Sequence, residues 1–233
     1  MSPGKNMKIK ILYEDNHLLV VEKPVNIPVQ QDSTNDVDML TLLKEDIKVR
    51  YNKPGNVYLG LVHRLDRPVG GAMVFAKTSK AASRLSDQVR TRGLNKTYYA
   101  VVHGKFEDKQ GRLENYLLKD EKTNMVSVVS PEVAGAKQAI LDYKVIDVFK
   151  DYTLIKVDLH TGRSHQIRVQ FSNIGHPLYG DQRYGKSVNK VGQQIALWSC
   201  GIALKHPTTE EELDFKCNPP DVEPWNWFKY LGF

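Results

Sequence analysis

The chain has 233 residues, of which 41% are hydrophobic and 26% charged, as in an ordinary globular protein of one large domain or two small ones. No apolar run reaches the length of a membrane span, and the amino-terminal residues are polar and basic rather than a signal sequence. Two cysteines, Cys200 and Cys217, form no Cys-x-x-Cys pair, which favours free thiols in a reducing cytoplasm over a disulfide framework.

The net charge of +6 is concentrated in one segment of the chain. Residues 61–105 contain nine lysines and arginines but only two acids, an excess of seven, whereas the remainder nets −1. A localised positive field attracts polyanions, so we expect a polyanionic partner. The simpler alternative is that these lysines and arginines form the solvated face of a helix and bind no polyanion.

In the first half of the chain, apolar runs bounded by turn residues predict strands, and apolar residues at helical spacing predict helices. Ser79 is the expected N-cap of the second helix, and Gly93 is its expected stop. The predicted elements are strands over 8–13 and 17–22, a helix over 39–47, short strands over 59–62 and 72–76, a helix over 79–92 and a strand over 96–104.

The second half of the chain contains more strand than helix. Ile167, Phe171 and Ile174 recur at helical spacing, and Gly175 ends that helix. The predicted elements are several weaker strands within 112–149, a strand over 152–160, a helix over 164–174, strands over 194–204 and 212–216, and a short helix over 225–228. Because strands and helices are mixed along the chain, the expected fold class is α+β.

Residues 62–77 hold one carboxylate, Asp66, between two short apolar runs that are typical of buried strands. Three charged or titratable neighbours accompany it: His63, Arg64 and Arg67. The residues that follow, Pro68, Gly70 and Gly71, supply the backbone restriction and freedom that a tight turn needs. A rigid turn between strands is a good mount for a reactive group, although most Arg-Asp-Arg triplets are solvated loop charges.

The sequence His63-Arg64-Leu65-Asp66, followed by Gly-Gly-Ala-Met-Val-Phe-Ala-Lys-Thr at 70–78, resembles the catalytic motif of the RluA-type RNA pseudouridine synthases. The family usually has Arg-x-Thr-Ser-Gly after the aspartate, whereas this chain has Arg-Pro-Val-Gly-Gly at 67–71. Further segments resemble other motifs of the same family, in the same order: 14–24 (Glu-Asp-Asn-His-Leu-Leu-Val-Val-Glu-Lys-Pro), 96–100 (Lys-Thr-Tyr-Tyr-Ala), 161–168 (Thr-Gly-Arg-Ser-His-Gln-Ile-Arg) and 175–185.

The resemblance implies a mixed, largely antiparallel sheet flanked by helices, with a central basic cleft. It implies that Asp66 is the essential catalytic residue, that Arg168 is its charge partner and that Tyr98 is the active-site tyrosine. A carboxylate can attack an electrophilic sugar carbon, and a nearby guanidinium lowers its pKa by ~1–3 units. The residues expected to line the cleft or hold RNA are His63, Arg64, Arg67, Arg163, His165 and Ile167.

The implied reaction isomerises uridine in structured RNA, ribosomal or transfer, to pseudouridine, with base flipping and without a cofactor or metal. We expect residues 1–233 to form one catalytic domain in the cytoplasm, with no separate amino-terminal RNA-binding domain and no membrane partner. No motif specifies an oligomeric state. In the opening motif, Asn26 stands where the family has glycine, and asparagine tolerates the left-handed conformation expected there.

Other functions fit the sequence less well. Its seven histidines include no His-Glu-x-x-His motif or Cys/His cluster, which disfavours a metal hydrolase. A two-histidine phosphoesterase needs two His-x-Thr/Ser motifs, and only His206-Pro207-Thr208 fits. A glycosidase needs paired carboxylates, which Asp66 lacks by motif. The main alternative is a non-catalytic RNA-binding protein that retains the synthase fold.

Overall fold

A computed structural model of the chain describes residues 8–231, which divide into two compact units. The first unit contains the described residues up to Leu94 together with Gly201–Cys217, and the second contains Asn95–Cys200 and the described residues from Asn218 onward. The expectation of one catalytic domain stays a prediction. Between residues 8 and 231, the helices are too short or too polar to cross a membrane.

In the first unit, four strands run side by side in the order β1-β2-β4-β10, with β3 paired to β4 and β11 paired to β10. Helices α1 and α2 belong to this unit. Its elements are β1 (Lys10–Glu14), β2 (Leu18–Lys23), α1 (Met39–Arg50), β3 (Gly60–Leu61), β4 (Gly70–Ala76), α2 (Ser79–Arg90) and β11 (Glu212–Lys216). Strand β10 spans Leu197–Lys205, and its part from Gly201 onward belongs to this unit.

Strands β2 and β4 form the centre of the first unit. Every residue of β4 is buried, as expected of a strand covered on both faces. The two strands are antiparallel, with a register that runs from Leu18 opposite Ala76 to Lys23 opposite Gly71. This pairing places the end of β2 beside the start of β4, and therefore beside the residues that precede β4.

The second predicted helix is confirmed, but its caps differ from those expected. Thr78, not Ser79, is the N-cap of α2, and its hydroxyl accepts a 3.1 Å hydrogen bond from the amide of Ala81. At the other end, Arg92 adopts the left-handed conformation with φ of 62°, while Gly93 donates its amide to the carbonyl of Gln88 at 2.7 Å. The left-handed residue that follows the helix is therefore Arg92, one position before the expected glycine.

The second unit is built on the strand order β5-β9-β8-β6-β7. Its described pairings are all antiparallel. The predictions of an α+β class and of a largely antiparallel sheet are therefore confirmed. Its elements are β5 (Asn95–His103), β6 (Gln110–Asp120), β7 (Met125–Val129), β8 (Lys137–Phe149), β9 (Tyr152–Leu159), α3 (Gln166–Asn173), the first part of β10, and 3-10 turns at Trp225–Trp227 and Lys229–Leu231.

Helix α3 packs on the sheet of the second unit through a small apolar cluster. Val169 of α3 lies there with Leu117, Val126 and Ala139, which come from strands β6, β7 and β8. Helix α3 therefore has a fixed position over the sheet, and its side chains have fixed directions. On β5, Lys96 pairs with Leu159 and Tyr98 with Val157, so both side chains lie on one face of the sheet.

Candidate active site

Asp66 lies in a tight turn immediately before strand β4. The amide of Val69 donates a 2.9 Å hydrogen bond to the carbonyl of Asp66, which closes the turn around Arg67 and Pro68. The turn thus precedes the two glycines that were expected to form it: Gly70 and Gly71 belong to β4, where Gly71 has φ of 113°. Because the turn is joined directly to a buried strand, the half-buried Asp66 sits on a rigid support.

The side chain of Lys23, the last residue of β2, is hydrogen-bonded to the backbone of this turn. The side chain is completely buried, and its Nζ donates to the carbonyls of Pro24 at 2.9 Å, Arg67 at 3.0 Å and Val69 at 2.8 Å. Burial lowers the pKa of Lys23 to about 7, against the raising effect of the Asp66 carboxylate. Lys23 therefore connects a core strand to the backbone on either side of Pro68.

The two residues of the motif that precede Asp66 have different environments. His63 is half-buried, and its Nε2 accepts a 3.1 Å hydrogen bond from the amide of Val74 in β4, just beyond the point where β3 stops pairing. This bond extends the contact between the loop and the sheet. Arg64 is exposed and makes no hydrogen bond or ion pair with residues 8–231.

Arg67 contacts the loop that follows β2. Its guanidinium forms an ion pair with Asp36, lies 3.8 Å from Asp32, and donates to the hydroxyl of Thr34 at 3.1 Å and the carbonyl of Asn26 at 3.3 Å. Asn26 has φ of 66°, which confirms the left-handed conformation expected at that position. Arg67 thus joins the Asp66 turn to the loop that follows β2.

In the second unit, Tyr98 is 5% exposed and lies on the inner face of β5. Tyr99 and Thr97 point to the other face, where the Thr97 hydroxyl donates to Asp158 at 3.1 Å. The turn at 161–163 lies nearby in the same unit and carries the exposed Arg163. Its Nε donates to the carbonyl of Gln138 at 2.9 Å, and its amide donates to Oε1 of Gln166 at 3.1 Å.

Arg168 of helix α3 is buried, and Asp181 holds it by two hydrogen bonds. Its Nε lies 2.8 Å from Oδ2 of Asp181 and its Nη2 lies 2.9 Å from Oδ1. Burial favours the protonated form of Asp181, but the hydrogen bonds and charge of Arg168 hold the pKa of that carboxyl below its ordinary value. The amides of Arg183 and Tyr184 add bonds to Oδ1 at 2.9 and 3.2 Å.

Tyr184 completes the support of Arg168. Its ring centroid lies 5.3 Å from Cζ of Arg168, a cation–π contact, and its hydroxyl lies 2.8 Å from Nδ1 of His165. The same hydroxyl accepts the amide of Val126 at 2.9 Å. His165 is the N-cap residue of α3, with φ of 51°. Ile167 is only 5% exposed.

The predicted site residues are therefore distributed between the two units. His63, Arg64, Asp66 and Arg67 share one loop of the first unit, whereas the second unit contains Tyr98, Arg163, His165, Ile167 and Arg168. Of the second group, His165 and Arg168 are joined through Tyr184. The pairing of Asp66 with Arg168 stays a prediction.

The sequence reasoning missed two residues that support this site, although both lie within segments it singled out. Lys23 is part of the opening Lys-Pro motif, and its position at the end of an apolar strand could have indicated that it supports the site. Asp181 follows Gly180, whose φ is 75°, and a Cβ on Gly180 would collide with the carbonyl of Gln194. The position before Asp181 therefore accepts only glycine, and this Gly-Asp pair could have pointed to Asp181.

No group of three histidine, cysteine or acidic side chains within the described part of the chain is placed to hold a metal ion.

Comparison with known proteins identifies the family. A model of RNA pseudouridylate synthases matches residues 17–173. The ribosomal large subunit pseudouridine synthase C of Buchnera aphidicola subsp. Acyrthosiphon pisum is 32% identical over 238 residues, which cover 99% of this chain and 73% of that protein. The ribosomal large subunit pseudouridine synthase D of Haemophilus influenzae is 30% identical over 234 residues, 94% of this chain and 69% of that protein.

Among solved structures, human RNA pseudouridylate synthase domain containing 4 matches with a TM-score of 0.76 and 23% identity, over 91% of this chain and 88% of that one, which shows the fold. The chain spans 66% of the length of two further curated relatives, uncharacterised RNA pseudouridine synthases of Mycoplasma genitalium and Bacillus subtilis. With the motifs, the fold and the matched relatives in agreement, the chain belongs to the RNA pseudouridylate synthase family of isomerases.

Proposed function

We propose that this protein converts specific uridines in structured RNA to pseudouridine, with Asp66 as the nucleophile. The proposal rests on the contacts that fix the backbone turn around Asp66. Its turn is closed by the amide of Val69, joined to β2 by two hydrogen bonds from Lys23, and joined to the loop after β2 by Arg67. A carboxylate held this firmly between the core and the solvent suits an attack that demands one geometry.

In the proposed reaction, the bond between N1 of uracil and C1′ of ribose breaks, and a bond between C5 and C1′ forms. The product has the same atoms as the substrate, because N1 gains one proton and C5 loses one. Asp66 acts on the sugar, either by attack on C1′ or through an elimination route. No electron acceptor or donor is needed for either route.

We assign the remaining roles to the second unit. Arg168 supplies the positive charge that keeps Asp66 ionised, since an adjacent guanidinium favours the carboxylate. Tyr98 stacks on the uracil, and its hydroxyl assists a proton transfer. The support for the role of Arg168 is its fixed orientation: Asp181 and Tyr184 hold it at hydrogen-bonding and stacking distances.

Large-subunit ribosomal RNA is the proposed substrate, and transfer RNA is the second choice. Two relatives that each cover more than 90% of this chain carry the names of ribosomal large subunit pseudouridine synthases C and D. With a ribosomal substrate, the proposed location is the cytoplasm. The excess of seven positive charges within residues 61–105 suits an RNA partner of either kind.

A uridine within a base-paired stem is unreachable, so the target nucleotide is flipped out at a cost of roughly a few kcal/mol. We assign to Arg64 the role of filling the position in the base stack that the flipped nucleotide leaves. Its planar guanidinium can stack on bases, and it is exposed and unpaired within residues 8–231.

The test uses the full chain and an unmodified large-subunit ribosomal RNA transcript. We expect the wild-type protein to form pseudouridine at a small number of positions, and Asp66→Asn to abolish that activity while binding the RNA with nearly the same dissociation constant. Asp87→Asn, which alters an exposed carboxylate on helix α2, is the control and should retain full activity.

Two results would contradict the proposal. If the wild-type protein binds RNA but modifies neither ribosomal nor transfer RNA, the chain is a non-catalytic RNA-binding protein with the synthase fold. If Asp66→Asn remains active, the nucleophile is another residue. Mapping pseudouridines in total RNA from cells with and without the protein would identify the positions modified.

A further inference from the structure

The ammonium group of Lys96 has no acceptor among residues 8–231, and it lies beside the proposed active-site tyrosine. Lys96 lies two residues before Tyr98 on strand β5, and strand alternation puts both side chains on the same face of the sheet. Its side chain is only partly exposed. No hydrogen bond or ion pair joins the side chain of Lys96 to any residue from 8 to 231.

Two other lysines withdrawn from solvent make two or three hydrogen bonds each. Lys23 donates to three carbonyls, and Lys77 donates to Oε1 of Glu14 at 2.7 Å and to the carbonyl of Asp15 at 2.5 Å. For Lys96, burial lowers the pKa with no opposing carboxylate nearby. An ammonium removed from water without a partner destabilises the protein that contains it, so this position is costly unless a ligand uses it.

The immediate neighbour of Lys96 is the backbone of the turn at 161–163. A Cβ on Gly162 would lie 3.0 Å from Nζ of Lys96, so the absence of a side chain leaves room at the ammonium group. Gln166 makes the turn rigid, because its Oε1 accepts from the Thr161 hydroxyl at 2.8 Å and from the Arg163 amide at 3.1 Å. The neighbouring Arg163 is exposed and adds a second positive charge.

We propose that Lys96 binds a phosphodiester oxygen of the RNA substrate beside the turn at Gly162, next to the nucleotide whose base lies on Tyr98. A phosphate oxygen is a strong acceptor, and a compact ammonium binds it as a point charge. Side chains two residues apart on a strand are separated by about 7 Å, so one nucleotide can reach both residues. The inference rests on the proposed RNA substrate and adds a binding residue that the motifs did not assign.

The test compares Lys96→Met, which keeps the alkyl chain and removes the charge, with Lys144→Met. Lys144 is exposed on the opposite face of the same sheet, in register with Lys156 and Tyr99. Binding of an unmodified large-subunit ribosomal RNA transcript is measured over a range of salt concentrations. For Lys96→Met we expect binding weaker by roughly threefold to tenfold, and a slope of log K against log salt smaller in magnitude by about 0.7 to 0.9.

Thermal unfolding of the free protein separates binding from a structural role. Because the ammonium has no acceptor within the described part of the chain, Lys96→Met should unfold at the same temperature as the wild type or higher. Lys96→Arg should restore most of the RNA affinity. Unchanged RNA affinity and salt dependence in Lys96→Met would overturn the proposal, as would a lowered unfolding temperature. Pseudouridine formation by the wild type, measured in parallel, shows whether a failure concerns Lys96 alone or the proposed function.

Discussion

The Nζ of Lys23 donates a 2.8 Å hydrogen bond to the carbonyl oxygen of Val69, 46 residues further along the chain. The bond joins the end of β2 to the residue that closes the Asp66 turn. It exists because β2 and β4 pair with Lys23 opposite Gly71. The position of the predicted nucleophile is therefore set by the register of two core strands rather than by its loop alone.

Replacing Lys23 should disturb both stability and activity. Lys23→Met fills a similar volume but leaves three carbonyl acceptors without their donor, so we expect the free energy of unfolding to fall by roughly 2–4 kcal/mol. The rate of pseudouridine formation should fall as well, because the Asp66 turn loses its support. Urea denaturation and single-turnover kinetics measure the two effects.

Lys10→Met is the matched control, since Lys10 forms an ion pair with Glu22 on the surface with its side chain 70% exposed. We expect it to leave both measurements unchanged. Full activity in a correctly folded Lys23→Met protein would show that the turn holds its position without Lys23.

The buried lysine also predicts a pH dependence of stability. Burial lowers the pKa of Lys23 to about 7, while its ordinary value is 10.5. Between these values the unfolded chain binds one more proton at this site than the folded chain, so stability rises with pH. Relative to Lys23→Met, the wild type should gain roughly a few kcal/mol from pH 7 to 10.5. A constant difference between the two proteins across this range would contradict the prediction.

Asp181 is expected to act on catalysis through Arg168. Asp181→Asn keeps the shape of the side chain but removes a negative charge from beside the buried guanidinium, so we expect the free energy of unfolding to fall by about 3–5 kcal/mol. We expect kcat to fall more than KM rises, because Arg168 is proposed to act on Asp66 and not on RNA affinity. Denaturation and steady-state kinetics on the RNA transcript measure both effects.

Asp142→Asn provides a control with the same bidentate geometry at the surface. Asp142 accepts Nε and Nη2 of Arg112 at 2.7 and 3.0 Å, with both side chains more than a third exposed. Its replacement should change stability little. If Asp181→Asn behaved like Asp142→Asn, the orientation of Arg168 would not depend on its carboxylate partner.

Arg64→Ala tests the proposed role in base flipping. If Arg64 fills the vacated stack, turnover should fall more on a structured RNA than on an unpaired oligonucleotide with the same target uridine. Arg90→Ala removes another exposed arginine and should affect the two substrates equally. The rate ratio between the two substrates is the quantity to measure, and equal losses for Arg64→Ala on both would count against the assignment.

The predicted elements agree with the structure where apolar periodicity is strong. The strand predicted over 152–160 is Tyr152–Leu159, and the helix predicted over 164–174 is Gln166–Asn173. The errors lie at turns and caps, where one backbone conformation decides the outcome. Thr78 replaces Ser79 as N-cap, and the Asp66 turn closes before the glycines instead of on them. At such places neighbouring residues have similar propensities, and tertiary contacts select between them.

The motifs of the sequence determined the family and the order of its characteristic residues, because a reactive group and its neighbours keep their local spacing along the chain. The partners that hold those residues were decided by the tertiary structure alone. Lys23 reaches Val69 across two paired strands, and Asp181 reaches Arg168 from beyond the end of a helix. Both are buried polar contacts, and their partners are set by strand register and helix packing, which no local pattern encodes.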